Sequence, residues 1–124
     1  MTFDHIAIYV TDIDRSAALY EQLLGLERID EPFHDGLHVW LRIGPTLSLH
    51  IVGGAADTTP HDITHHMAFR TGSLDNTMLR LDRAGVVYRN FLGDGRINIR
   101  PDGIRQIYFQ DPDGYWIEVN ENPS

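Results

Sequence analysis

The sequence carries an internal repeat, and this feature constrains the fold more than any other. The segment His5-Ile6-Ala7-Ile8 aligns with His66-Met67-Ala68-Phe69, 61 positions further on, and each copy precedes a helical pattern that ends in glycine. Self-similarity at a fixed offset is typical of a fold assembled from copies of one supersecondary unit. A chain of 124 residues has the usual length of one domain. We therefore expect one domain built from two similar halves.

The first half is predicted to contain a strand, a helix and three further strands. Residues 4–10 alternate in polarity and are rich in β-branched side chains, which is typical of a strand with one face toward a core. Asp12 or Asp14 can cap the helix that follows, and Gly25 fits the position just past its end, where a positive φ favours glycine. The remaining strand-like runs are residues 26–29, 37–43 and 46–52.

The second half repeats this order after a looser segment. A strand pattern over 65–71 precedes a helical stretch from Leu74 to Gly85. The next features are strands at 86–91, 106–110 and 115–120, a glycine-containing loop at 93–103, and a turn at 111–114. We predict a single α+β domain with module 1 at about 1–53, a connecting loop at about 54–63 and module 2 at about 64–121.

Composition narrows the classes of function. The chain has no cysteine, so any metal must bind to nitrogen and oxygen. Its net charge of -8 opposes binding to phosphate backbones and to anionic membrane surfaces. No apolar run approaches the ~20 residues that cross a bilayer, and the N-terminus lacks the pattern of a signal peptide. We expect a cytoplasmic protein with a small-molecule substrate and neither nucleic acid nor membrane as a partner.

Strand parity identifies the candidate site residues. Successive side chains of a strand point to opposite faces, so His5 shares a face with Ala7 and Tyr9, while the aliphatic residues between them face a core. The same sorting places three further ionisable side chains on the face away from the core. These are His50, His66 and Glu118.

Three imidazoles and one carboxylate suit a divalent metal such as Zn²⁺, Ni²⁺, Fe²⁺ or Mn²⁺, with open positions for water or a substrate oxygen. A lone strand histidine is more often a hydrogen-bonded packing residue, and Glu118 alone could be an edge charge. Placement at matched positions of two repeats favours the metal site. We predict His5, His50, His66 and Glu118 as ligands, and His50 or Glu118 as the group that moves a proton.

Other side chains carry weaker signals. His65 should point to the face opposite His66 and have a structural role. The histidines in turn-rich or alternating segments should be exposed or hydrogen-bonded, with His38 the best placed of them to meet a ligand; they are His34, His38 and His61. Possible substrate contacts are Arg42, Arg70, Arg100 and Arg105, and the roles of Tyr108 and Trp116 stay open.

The chain resembles the vicinal oxygen chelate superfamily, which includes glyoxalase I, bleomycin-resistance proteins, fosfomycin-resistance thiol transferases and extradiol dioxygenases. The likeness covers nearly the whole chain. It is carried by Asp4-His5-Ile6-Ala7-Ile8, the segment from Ala18-Leu19-Tyr20 to Leu24-Gly25-Leu26, His66-Met67-Ala68-Phe69, and above all by residues 109–118, from Phe109-Gln110-Asp111-Pro112 to Ile117-Glu118.

The resemblance implies two βαβββ modules that form a paired, curved mixed β-sheet with the helices on its outer face. It also implies a homodimer and a metal at the positions of His5, His50, His66 and Glu118, where ligands can come from both subunits. Glyoxalase I usually carries glutamate or glutamine at the position of His50. His50 is therefore either an added ligand or a base.

The function that follows is metal-dependent, glyoxalase-like lyase or isomerase chemistry on a small carbonyl or enediolate-forming substrate. One alternative is a thiol or group transferase of the fosfomycin-resistance type, although Ala7 replaces a threonine expected near that position. A second alternative is a non-catalytic drug-binding protein of the bleomycin-resistance type, which generally lacks the ligand residues. Extradiol dioxygenases rank below these because they are typically longer.

Overall fold

The computed structural model describes residues 1–121. Contacts along the chain divide it into two compact units, Met1–Thr59 (unit 1) and Pro60–Ser124 (unit 2). Each unit holds four strands in one mixed sheet and one helix. The α+β prediction, with a strand, a helix and three strands in each half, is therefore confirmed. Within residues 1–121, no helix is long and apolar enough to cross a membrane.

Unit 1 has the strand order β1-β4-β3-β2, in which β1 is parallel to β4 and the other pairs are antiparallel. Its elements are β1 (His5–Tyr9), α1 (Ile13–Leu23), β2 (Glu27–Ile29), β3 (His38–Arg42) and β4 (Ser48–Val52). The first helix begins where its sequence predicts, because the side chain of Asp12 accepts a hydrogen bond from the Arg15 amide over 3.1 Å. It buries Ala17 and Tyr20 and packs on β3 and β4.

Unit 2 repeats this topology with the strand order β5-β8-β7-β6. Its elements are β5 (His66–Thr71), α2 (Leu74–Ala84), β6 (Asn98–Ile99), β7 (Arg105–Gln110) and β8 (Trp116–Glu121). Ser73 caps the second helix, and Gly85, at a φ of 71°, ends it with hydrogen bonds back to the last turn. This is the left-handed conformation that glycine adopts without steric cost.

The strand predicted at 86–91 is wrong. That segment forms a single β-bridge, from Arg89 to Tyr108, and the fourth strand of the sheet is β6, inside the predicted loop 93–103. The side chain of Asn90 explains the difference, because it accepts hydrogen bonds from the amides of Gly93 and Asp94 and turns the chain. A short polar side chain thus competes with extension of the strand.

Both sheets have one aliphatic face and one polar face, as strand parity predicts. In unit 1, Ile8 pairs with Ile51 in register, and both are buried on the side of α1. In unit 2, Ile117 and Val119 are buried in the same way. The opposite face of each sheet carries the predicted site residues, because residues directly paired across strands share a face.

Candidate functional site

The face of unit 2 opposite its aliphatic side brings His66 and Glu118 together. Ala68, two residues after His66 on the same face, pairs with Glu118 across the parallel strands β5 and β8. The Nε2 atom of His66 lies 3.3 Å from Oε1 of Glu118. The carboxylate is almost fully enclosed, with 5% of its residue surface exposed. A buried carboxylate of this kind needs partners, since burial of an unpaired charge is costly.

Glu118 has a partner at each oxygen. The hydroxyl of Tyr108 donates to Oε1 over 2.7 Å, and the amide of Asn120 donates to Oε2 over 2.8 Å. Burial raises the pKa of Glu118, but hydrogen bonds from Asn120, Tyr108 and Gln106 outweigh this effect and hold its pKa below the usual value. Burial and the bond to Glu118 raise the pKa of Tyr108, so the phenol stays protonated as a donor. Glu118 is therefore a carboxylate at neutral pH.

The tautomer of His66 follows from its other ring nitrogen. Nδ1 lies 2.8 Å from the carbonyl oxygen of Ile63, which can only accept, so Nδ1 carries the hydrogen. In the neutral ring, Nε2 then directs a lone pair toward the negatively charged Oε1 of Glu118. Two acceptors facing each other at this distance repel unless Nε2 also carries a proton or both atoms bind a cation. A backbone bond at Nδ1 is also the usual support of a metal-binding histidine.

Unit 1 brings His5 and His50 together in a different way. Their rings stack with centroids 4.0 Å apart and an interplanar angle of 9°. On the other side of His50, the indole of Trp40 stacks at 3.9 Å and 3°. A nitrogen lone pair lies in the plane of its ring, so two parallel rings at this separation cannot both direct one at the same ion. In this arrangement one of the two histidines is available to a given metal.

Hydrogen bonds distinguish the two histidines of this stack. Nδ1 of His5 lies 2.6 Å from a carboxylate oxygen of Asp4, which leaves Nε2 as the free acceptor. Nε2 of His50 lies 2.9 Å from the hydroxyl of Ser48. Burial, and then the charge of His5, lower the pKa of His50 below the ordinary value for histidine. His5 thus has the supported geometry of a ligand, and His50 is a neutral imidazole suited to accept a proton.

An open cavity of about 620 Å³ lies over this face of unit 1. Its lining includes the three stacked rings of His5, His50 and Trp40. It also includes Phe33 and His38, whose rings stack with centroids 4.2 Å apart. Two carboxylates, Asp4 and Asp30, stand at its wall, and the lining contains neither lysine nor arginine. The cavity therefore suits a flat or apolar part of a substrate that carries no strong negative charge.

The side chains of His5, His66 and Glu118 fit a divalent metal. Two imidazoles whose Nδ1 atoms are hydrogen-bonded and one ionised carboxylate are ordinary ligands for Zn²⁺, Ni²⁺, Fe²⁺ or Mn²⁺. Within residues 1–121 the metal-type side chains do not form a group of three or more. They form two pairs, one in each unit: His5 with His50, and His66 with Glu118.

The other candidate residues have local roles. His65 is exposed and lies just before β5, and His61 stacks on Tyr115. The predicted arginine contacts are engaged with neighbouring side chains: Arg42 with Glu27, Arg70 with Asn120, Arg100 with Asp102, and Arg105 with Glu121.

The sequence did not predict two features of the site. The first is the stacking of the Trp40 ring on His50. Trp40 lies two residues after His38 on β3, and therefore on the same face of the sheet, which could have indicated this contact. The second feature is the bond from Tyr108 to Glu118, for which the sequence has no local signal.

Fold and site together define a small α+β protein with two βαβββ units, each with a pair of metal-type side chains on one sheet face. The chain belongs to the Glyoxalase/Bleomycin resistance protein/Dioxygenase superfamily, whose family model matches residues 2–119.

Individual relatives and solved structures agree with this assignment. YwbC of Bacillus subtilis (strain 168), an uncharacterised protein, is 31% identical over 121 residues, and the match covers 93% of each chain. Glyoxylase I 4 of Arabidopsis thaliana is 24% identical and covers 95% of this chain and 69% of that protein.

Two solved oxidases have similar folds. Oxidase ChaP-H2 matches with a TM-score of 0.80 and 26% identity, covering 99% of this chain and 94% of its own. Oxidase ChaP-H1 matches with a TM-score of 0.79 and 28% identity, covering 99% of this chain and 97% of its own.

Proposed function

We propose that this protein is a divalent-metal-dependent lyase or isomerase that acts on a small carbonyl or enediolate-forming substrate. The observation that carries the proposal is the pair in unit 2, where a histidine lone pair and an ionised carboxylate oxygen face each other at 3.3 Å. A divalent metal held by His66 and Glu118 would remove this repulsion and supply a positive charge there. The family assignment, which includes glyoxalases, supports the same reaction class.

We assign the role of metal ligand to His66 and Glu118 in unit 2 and to His5 in unit 1. When bound, the metal supplies a positive charge that stabilises negative charge developing on a substrate oxygen. Glu118 holds its two hydrogen-bond donors and remains ionised, which suits a ligand better than a proton carrier.

His50 is our candidate for the residue that moves the proton. It is a neutral imidazole with a lowered pKa, it stands in the cavity of unit 1, and its ring is held in place between His5 and Trp40. A general base works best when its pKa lies near the working pH and its orientation is already set. His50 would accept a proton from a carbon next to the substrate carbonyl and return it to the neighbouring carbon or oxygen.

Elemental analysis of the purified, tag-free protein tests the metal site directly. We expect near-stoichiometric Zn, Ni, Mn or Fe in the wild type and its loss in His5→Ala and Glu118→Ala. Glu27→Ala is the matched control, because Glu27 is an exposed strand glutamate in unit 1. A wild type that stays free of metal after reconstitution with each ion contradicts the proposal and favours the non-catalytic binding alternative.

Proton exchange then tests the reaction class. The metal-loaded protein is incubated in D₂O with a panel of α-hydroxy carbonyl compounds, with and without a thiol cosubstrate, and deuterium at carbon is followed by NMR. Exchange that His50→Gln abolishes supports the lyase or isomerase assignment. Turnover that needs a thiol and proceeds without exchange at carbon supports the thiol transferase instead.

A second candidate function is metal-dependent oxidation of an aromatic substrate. It is favoured by the similarity to two oxidases above 25% identity and by the ring-lined cavity of about 620 Å³, which accommodates more than a small carbonyl compound. Two histidines and one carboxylate are also the ligand set of non-haem iron enzymes that use O₂. Oxygen consumption by the iron-loaded protein with polyphenolic substrates, absent with the zinc-loaded protein, would establish this function.

We further propose that the protein is a homodimer that works in the cytoplasm, as the family resemblance and the composition suggest. Light scattering after size-exclusion chromatography at several concentrations tests the oligomeric state, and a stable monomer contradicts it.

A further inference from the structure

Arg89 of unit 2 lies on the same sheet face as the His66 and Glu118 pair. Its backbone exchanges two hydrogen bonds of 2.8 Å with Tyr108, and Tyr108 in turn pairs with Glu118 on the next strand. Directly paired residues share a face, so the three side chains form a row across the sheet. The guanidinium carbon of Arg89 lies 4.8 Å from the centre of the Trp116 ring, and Trp116 pairs with His66.

Within residues 1–121, the charge of Arg89 has no acidic partner, and its side chain leaves a buried donor unsatisfied. With 18 acidic and 10 basic residues, the protein provides ion pairs for arginines at many positions. Five of them are Arg28, Arg42, Arg96, Arg100 and Arg105. Arg89 makes no such pair within residues 1–121, and its buried Nε atom lacks a hydrogen-bond partner there. A buried donor without an acceptor costs free energy.

The neighbouring turn leaves space for this guanidinium. A Cβ atom at Gly93 would stand 2.6 Å from Nη1 of Arg89, and Gly93 has a φ of 81°, where side chains are disfavoured. The side chain of Asn90 holds the turn through its bonds to the amides of Gly93 and Asp94 and to the carboxylate of Asp94. Asp94 is thereby engaged with Asn90. The guanidinium thus lies between an indole and a glycine, with its charge uncompensated.

We propose that Arg89 is a specificity residue that binds a carboxylate of the substrate on the face that carries His66 and Glu118. A guanidinium stacked on an aromatic ring keeps its N–H donors in its plane, which matches the two oxygens of a planar carboxylate. A single arginine beside Glu118 provides too little positive charge for a phosphate dianion. This inference rests on the proposed function only in assigning that carboxylate to the metal site's substrate; the binding of the anion is testable by itself.

The test is an NMR titration of the zinc-loaded, full-length protein with benzoate at constant ionic strength. The indole N–H signal of Trp116, assigned with Trp116→Phe, and the Nε–H signal of Arg89 report on the site. We expect saturable shifts with benzoate, little response to the isosteric but uncharged benzamide, and a weaker response to inorganic phosphate. Arg89→Gln should weaken benzoate binding at least ~10-fold, the scale of a charge-assisted hydrogen bond.

Two further variants keep the result interpretable. Arg80→Gln makes the same substitution at an exposed position of α2 and should bind benzoate like the wild type. Arg89→Lys keeps the charge and should bind with intermediate affinity, which provides a readout if Arg89→Gln folds poorly. Thermal unfolding of each variant identifies a purely structural role, in which stability falls while benzoate affinity is unchanged. That result, or the absence of saturable benzoate shifts in the wild type, overturns the inference.

The metal content of the same samples separates the two proposals. A wild type and an Arg89→Gln variant that both retain zinc, with benzoate affinity lost in the variant, support the inference and the metal site together. Retained zinc with equal benzoate affinity in both proteins contradicts the role of Arg89 and leaves the metal site standing. Benzoate binding that depends on Arg89 in a protein unable to hold metal supports the anion site and contradicts the proposed function.

Discussion

The two units use equivalent positions of one topology for different chemistry. Glu118 in unit 2 and His50 in unit 1 both pair with an alanine two residues after the histidine that begins the first strand of their unit. Their next neighbours across the sheet are also equivalent, Tyr108 beside Glu118 and Trp40 beside His50. Tyr108 donates a hydrogen bond to its neighbour, whereas Trp40 stacks on its own. Different side chains at two matched positions thus give a hydrogen-bonded carboxylate in unit 2 and a stack of aromatic rings in unit 1.

The surroundings of each pair reinforce this difference. Glu118 is enclosed and holds two donors, which keeps it ionised and oriented. The rings of His50 and Trp40 border an open cavity, where they can meet a substrate. Under the proposed function, unit 2 provides the enclosed ligand Glu118 together with His66, and unit 1 provides His5, the substrate surface and the proton carrier His50.

Glu118→Gln should have the largest effect. The substitution keeps the shape of the side chain but removes the charge, and the amide donates where a metal needs an acceptor. We expect metal affinity to fall by more than ~100-fold, since even the loss of a side chain that only supports a ligand costs ~10–100-fold. Competition with a chromogenic chelator measures this. Glu27→Gln is the control, and stoichiometric metal of wild-type affinity in Glu118→Gln would remove Glu118 from the metal site.

His50→Gln should leave metal content unchanged and slow proton exchange by ~10²–10⁴-fold, the usual contribution of a general base. The physical reason is that the His50 ring stacks on the His5 ring, so only one of the two can direct a nitrogen lone pair at the metal ion. Elemental analysis and exchange in D₂O are measured on the same sample. Loss of metal comparable to that in Glu118→Gln would make His50 a ligand, and the two units would then be alike in this respect.

Tyr108→Phe removes one hydrogen bond to Glu118 and should lower metal affinity by ~10–100-fold. The lost donor also raises the pKa of Glu118, because that bond favours the ionised form. Metal binding requires the carboxylate, is complete above its pKa and is lost as pH falls through it, so the acid limit of binding should move to higher pH. Trp40→Phe at the equivalent position should leave that limit in place, and an equal shift in both variants would contradict the comparison.

Asp12→Ala and Ser73→Ala should have the smallest effects and should be similar in the two units. Within residues 1–121 each unit has one helix, and each of these side chains caps it by accepting a hydrogen bond from the amide three residues further on. Loss of such a cap costs about 1 kcal/mol of the free energy of unfolding. Denaturant titration followed by circular dichroism measures it, with Asp14→Ala as an internal control in α1. An unchanged free energy of unfolding in either variant would show that this cap does not stabilise its helix.

The sequence predicted most of the fold because the signals were local. Helix caps, the glycines that follow the helices and the alternation along each strand all depend on neighbouring residues. The structure has the corresponding helices and strands within one or two residues of their predicted ends. The prediction failed at 86–91, where apolar residues suggested a strand and the turn made by Asn90 prevented it. The same parity argument found the polar faces that carry His5, His50, His66 and Glu118.

What the sequence determined by itself, then, is which side chains stand on which face of each sheet, because alternation along a strand is a property of the backbone. Tertiary structure alone decided how those side chains meet. The parallel rings of His5 and His50, the two donors of Glu118 and the unpaired charge of Arg89 depend on residues brought together across strands. Those partners are set by strand order and register, which arise when the chain buries its aliphatic faces.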